Sequence, residues 1–87
     1  MNQSILFPDI QNFDSENQLV IFSAQSQGAL IECTVSVEYL GKLSDKALSG
    51  DDSVLNAFEQ HRFDLEELAE DMIEDDLFSP DGRIEIK

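Results

Sequence analysis

The 87-residue chain has no tryptophan, one cysteine, two prolines and only five basic residues against nineteen acids. Each scarcity removes a class of protein. A single cysteine permits neither an intrachain disulfide framework nor a cysteine-based zinc site. A net charge of −14 sets the surface against nucleic acid and anionic membrane, because like charges repel and no basic patch exists to displace counterions. The longest uninterrupted apolar run is "LVIF", residues 19–22. That is far short of the roughly 20 residues a membrane-spanning helix needs. The opening "MNQSILFPDI" has neither a positive leader nor a long apolar stretch, so it does not read as a signal peptide. These exclusions point to the cytoplasm, and the small compact design points to a bacterium. Basic protein surfaces or cations are the partners that the charge favours.

What remains is enough for one folded domain, residues 1–87. Apolar residues make up 41% of the chain and include six phenylalanines, too many for a disordered polyanion. "ILF" at 5–7 reads as a short strand ended by Pro8-Asp9, since proline lacks the ladder donor. Residues 9–17 read as a polar, turn-rich loop, with Ile10 and Phe13 anchoring it to the core.

A hairpin follows, centred on Gln27-Gly28, where glycine supplies the positive φ of a tight turn. Paired residue numbers then sum to 55. Ala24 faces Ile31, Phe22 faces Cys33, and Val20 faces Val35, all on one side of the sheet because strand side chains alternate. Leu19, Ile21, Ser23 and Gln25 lie on the other side with Leu30, Glu32, Thr34 and Ser36. That face is mixed, so it is expected to be half-exposed or lightly covered.

Ser36 reads as the N-cap of a short helix over 37–48, with Val37, Leu40 and Leu43 inward and Gly41 as its weak point. Asp51 or Asp52 is expected to cap a long helix over 52–76. Val54, Phe58, His61, Leu65, Leu68 and Met72 recur there at steps of four and three, and Leu55, Ala69 and Ile73 widen the stripe. Straight, such a helix would be about 37 Å long. It must bend near His61-Arg62, overhang, or pack on a second copy of the chain. "SPDG" at 79–82 is a turn, and "RIEIK" is a last strand with Ile84 and Ile86 inward. The predicted fold is α+β: a small, mainly antiparallel sheet packed by one short and one long helix, in the order β-β-β-α-α-β.

Three stretches carry a resemblance to a family: "FPD" at 7–9, "ECTVSVEYL" at 32–40 and "AFEQHRFDLEELAEDMI" at 57–73. Together they make the chain similar to the small bacterial proteins grouped as domain of unknown function 1488. The most specific piece is the His61-Arg62 pair between Phe58 and the acidic helix. The resemblance implies a fold and a bacterial cytoplasmic setting, and it supplies no catalytic residues and no cofactor.

Three groups of residues are candidates for function. His61 can shuttle protons near neutral pH, and Arg62 can clamp an anion. With Tyr39 they would make a small-ligand or enzymatic site. The plainer expectation is structural: His61 lies on the apolar stripe, and Arg62 is placed to pair with Glu59 or Glu66. Cys33 lies mid-strand between Ile31 and Val35, where cysteine acts as a small hydrophobe rather than a nucleophile.

The third group is the acid run. Residues 64–76 hold Asp64, Glu66, Glu67, Glu70, Asp71, Glu74, Asp75 and Asp76 with no basic residue among them. No calcium-loop spacing is present, and a regular helix splays its carboxylates rather than converging them on one ion. Like charges four residues apart cost a few tenths of a kcal/mol per pair, roughly. A face carrying Glu67, Glu70, Asp71, Glu74 and Asp75 is therefore either a solvated surface or a docking face for a basic protein. The reading favoured by the sequence is a non-enzymatic interaction module, with homodimerisation through an apolar face as a further use of the fold. Mimicry of nucleic-acid charge would need acids spread over a broad surface, and one helix face is narrow for that. Hydrolase, P-loop, dinucleotide and zinc-protease motifs are absent.

Overall fold

The hairpin organises the molecule. In the computed structural model, which describes residues 5–87, β3 (Leu19–Ser26) and β4 (Ala29–Ser36) pair antiparallel over their whole length. The register is the expected one, with Val20 opposite Val35, Phe22 opposite Cys33 and Ala24 opposite Ile31. Gln27 and Gly28 both adopt positive φ, 53° and 85°, as a two-residue turn matched to the strand twist requires.

Two short strands share the free edge of β3. β1 (Ile5–Leu6) pairs with its C-terminal end and β2 (Gln11–Asp14) with its N-terminal half, both antiparallel. β2 corrects the expectation of a loop over 9–17. Its residues have low strand propensity, but β3 would otherwise leave a row of unpaired backbone groups beside the core. The pairing sends Gln11 and Phe13 to the same face as Phe22 and Val20. Ile10 precedes this strand, and it is 62% exposed rather than the core anchor expected of it. The first strand also stops at Leu6, one residue earlier than predicted.

On the opposite side of the sheet, β5 (Ile84–Ile86) pairs with β4 in parallel. A parallel neighbour needs a crossover, and three helices supply it: α1 (Val37–Ser44), α2 (Asp51–Gln60) and α3 (Arg62–Glu74). The α+β class and the mainly antiparallel sheet are as predicted. The order is β-β-β-β-α-α-α-β, because β2 was not foreseen and the long helix is two.

The helices cover one face of the sheet. Val20, Phe22, Ala24, Cys33, Val35, Ile84 and Ile86 from the strands meet Leu40, Val54, Phe58, Leu65 and Ala69 from the helices. Phe22 and Phe58 are in ring contact at 5.3 Å between centroids. Among the described residues the other face carries no helix, and Leu30 on it is 70% exposed.

Ser36 caps α1 as predicted, its hydroxyl accepting from the Tyr39 N–H at 3.0 Å. The helix ends at Ser44 rather than 48, and Leu43 lies at its exposed margin while Leu48 folds back onto the core. Gly41 permits that return, since a Cβ there would sit 3.1 Å from the Lys46 carbonyl. Neither Asp51 nor Asp52 is the cap of α2. Gly50 occupies that position, and both acids lie in the first turn, where the helix dipole favours them.

The C-terminal ends of α1 and α3 share a design. Asp45 and Asp76 take left-handed φ of 57° and 60°. The following N–H groups, of Lys46 and Leu77, reach back to the Gly41 and Met72 carbonyls. This is the reverse turn that glycine normally makes. Aspartate there carries a left-handed strain of about 1 kcal/mol and sets a negative charge at the negative end of the helix. Asp76→Gly is expected to raise stability by about 1 kcal/mol in urea unfolding, with an unchanged slope.

Candidate functional site

The break between α2 and α3 falls at His61. Its φ of −109° and ψ of 17° leave the helical region, and its N–H is shared between the Ala57 and Phe58 carbonyls. No proline or glycine lies there. The helix is interrupted at this one residue, next to Arg62, which is held from the side.

Arg62 reaches across to the segment between β1 and β2. Its Nη2 donates to the Pro8 carbonyl at 3.0 Å, and its Nη1 to Asp9 Oδ1 at 2.8 Å and Gln11 Oε1 at 2.9 Å. Its Nε donates to Glu66 at 2.8 Å, and Glu59 lies 3.4 Å from Nη1. Gln11 turns its own amide to Glu59 at 2.9 Å. The guanidinium also stands over the Phe58 ring, 5.8 Å from its centroid. Glu59 and Glu66 are the partners expected from helical spacing. Pro8, Asp9 and Gln11 come from a region that spacing along the helix does not reach.

These arms differ in weight. The Arg62 side chain is 14% exposed and that of Glu66 19%, so their pair is little screened. Asp9 is 86% exposed, and an ion pair to so open a carboxylate is worth a few tenths of a kcal/mol, roughly. The Pro8 carbonyl contact is a charge-assisted bond to backbone, and such bonds are among the stronger ones.

His61 is half-buried and no hydrogen bond of its ring appears among the described residues. Tyr39 lies on α1 with its side chain packed against the core. No hydrogen bond or ion pair among the described residues links Tyr39 to His61 or Arg62. Cys33 is fully buried between the sheet and the helices. Burial pushes its thiol up to about 12, with the Glu32 carboxylate adding to the shift and a backbone hydrogen bond near Ala24 opposing it. Among the described residues no group of His, Cys, Asp and Glu is arranged to hold a metal ion, and no helix is long and apolar enough to cross a membrane.

The acid run borders a groove of about 670 Å³. Ile5, Leu6 and Phe7 line it on the sheet side. Across from them α3 contributes Phe63 and, turn by turn, Glu66, Glu67, Glu70, Asp71 and Glu74. Phe63 is 85% exposed; Leu6, opposite Gln25, turns its side chain to the helix-free face of the sheet. Four of the five acids predicted for an interaction face line this groove, and Asp75 lies beyond its end. None of the five has an ion pair among the described residues. The sequence reading missed Phe63. The available signal was an aromatic residue off the apolar stripe, set between Arg62 and Asp64.

The comparisons with known proteins agree on one family. The family model described as protein of unknown function (DUF1488) matches residues 5–86. The chain belongs to this family. Among its relatives are the uncharacterized protein YrdB of Escherichia coli strain K12, 39% identical over 77 residues, and that of Shigella flexneri, 38% identical over 77 residues. Each alignment covers 86% of this chain and 86% of the relative. The crystal structure of a DUF1488 protein of unknown function from Shewanella loihica PV-4 superimposes with a TM-score of 0.93 at 37% identity. It covers 99% of this chain and 94% of that one. The DUF1488 fold is thereby seen in an experimental structure, and no specific activity accompanies the family.

Two outcomes are expected. Arg62→Ala should cost about 2–4 kcal/mol, since it leaves Glu66 and the Pro8 carbonyl without their cation. Arg62→Lys should recover only part of this, because an ammonium cannot serve carbonyl, amide and carboxylate in one plane; thermal or urea unfolding measures both. Cys33 should stay unmodified by Ellman's reagent in the native protein and react at once in denaturant. An unfolded thiol ionises near 9 and the folded one near 12. The contribution of Cys33 to stability is therefore complete below pH 9 and lost as pH rises from 9 to 12.

Proposed function

We infer that the protein is a non-enzymatic docking module of the bacterial cytoplasm. The groove between β1 and α3 receives a basic segment of another protein. The observation that carries this reading is the groove's composition: on the α3 wall Glu67, Glu70, Asp71 and Glu74, with no ion pair among the described residues, and at its mouth the exposed ring of Phe63. Neither the four unpaired carboxylates nor the exposed Phe63 ring serves the fold, whereas Glu66, Ile5 and Phe7 do. Glu66-Glu70-Glu74 and Glu67-Asp71-Asp75 are rows of like charge at helical spacing, which weakens α3. The late acids also meet the negative end of the helix dipole. Leu65 and Ala69, both buried, hold α3 in place regardless. A cytoplasmic setting suits a chain whose one thiol is free.

The charges on the groove are exposed, so binding should be screened over about 8–10 Å at ordinary ionic strength. The test compares wild type with two variants of equal charge as baits in native extract at low and moderate salt. Glu67→Lys/Asp71→Lys alters the groove, and Glu16→Lys/Glu38→Lys alters remote surface. A partner held by wild type and the remote variant, lost from the groove variant and released by salt, is the expected result. Equal capture by both variants would remove the reading.

A further inference from the structure

We propose that the segment received by this groove is extended and bears arginine rather than lysine at alternate positions. This rests on the docking reading above and goes on to name the partner's chemistry. Three features of the groove select it. Its sheet side is β1, which pairs with β3 on one side only among the described residues; an extended segment is the natural neighbour of such an edge. On the helix side Phe63, Glu67 and Asp71 are spaced by four residues, a rise of about 6 Å per step along α3. Alternate residues of an extended chain recur at about 6.6–6.8 Å on one side. Cations at alternate positions of a segment laid along α3 therefore meet its successive turns.

The third feature is Phe63. A ring 85% exposed, one turn from the Glu67 carboxylate, offers a face for stacking beside an acceptor pair for hydrogen bonds. A guanidinium uses both at once, since it is planar and carries its donors in a fork. An ammonium uses the carboxylate and loses more hydration on the ring. The fold already uses a guanidinium in both ways at once, though with the aromatic and the acid two turns apart rather than one. Arg62 stands over Phe58 while its Nε donates to Glu66. Phe63 and Glu67 present an aromatic face and a carboxylate with no guanidinium between them.

A second copy of the chain is a poor occupant. Each copy has five basic residues, and its two arginines are already engaged, Arg62 as described and Arg83 with Glu32 and Asp81.

The experiment uses fluorescently labelled RARARAR and KAKAKAK heptapeptides, equal in charge and length, with anisotropy read at low salt. Wild type is expected to bind the arginine peptide about three- to tenfold more tightly. Phe63→Leu keeps an apolar surface at an exposed position and should bring the ratio close to one, with lysine-peptide affinity unchanged. Equal affinities in wild type, or a preference that survives Phe63→Leu, would overturn the arginine assignment while leaving a basic docking groove in place. Binding of neither peptide would overturn both. Self-association that either peptide fails to reverse would give the groove to a second copy and likewise overturn the proposal.

Discussion

One cation holds two distant parts of the chain together. Arg62 sits where α2 gives way to α3 and is bonded to the Pro8 carbonyl, Asp9 and Gln11. The side chain thus fixes the segment between β1 and β2 against the helical layer. Its Glu66 bond at 2.8 Å fixes the first turn of α3, and its ring contact with Phe58 ties the last turn of α2 to the same point. These contacts fix the start of α3 against the segment that follows β1. The groove lies beside this clamp, lined by β1 with Phe7 and by α3. Two of the stretches that mark the family, "FPD" and the His61-Arg62 pair, meet in the clamp.

The fold was legible where local pattern and tertiary demand agree. In the hairpin, alternation from Val20 to Val35 and the Gln27-Gly28 turn each specify the register, and a slip of one residue would expose Phe22 and Cys33. The last strand was legible for the same reason, with Ile84 and Ile86 alternating around Glu85. β2 was not legible, because Gln11-Asn12-Phe13-Asp14 owes its strand to the open edge of β3 and not to its own side chains. The break at His61 was legible only as one of three outcomes of excess helix length. No residue in it breaks helices; the choice is made by Arg62 reaching for a carbonyl 54 positions away. At the groove, the acids stood out in sequence while their apolar counterpart did not. Phe63 lies off the apolar stripe and acquires meaning only beside β1, a strand remote in the chain.

The balance of forces along α3 separates what folds the protein from what decorates it. Its inner side needs only Leu65 and Ala69 fully buried, with Leu68, Met72 and Ile73 packed around them. Burial of such side chains contributes about 1.5–3 kcal/mol for each of the larger ones. Repulsion among the outer carboxylates is smaller by several-fold. The fold therefore tolerates a face that local energetics oppose. That tolerance makes a charged binding surface compatible with an 87-residue chain, whose core is small and whose stability is modest.

The central claim is that the groove between β1 and α3 is where a partner binds. Its most direct test is a two-dimensional ¹H–¹⁵N correlation spectrum recorded while RARARAR is added to wild-type protein. The account predicts shift changes confined to residues 5–7 and 63–74, with the open sheet face around Ile21, Leu30 and Glu32 unmoved. Changes centred on that open face, or small changes spread evenly over every exposed acid, would contradict it.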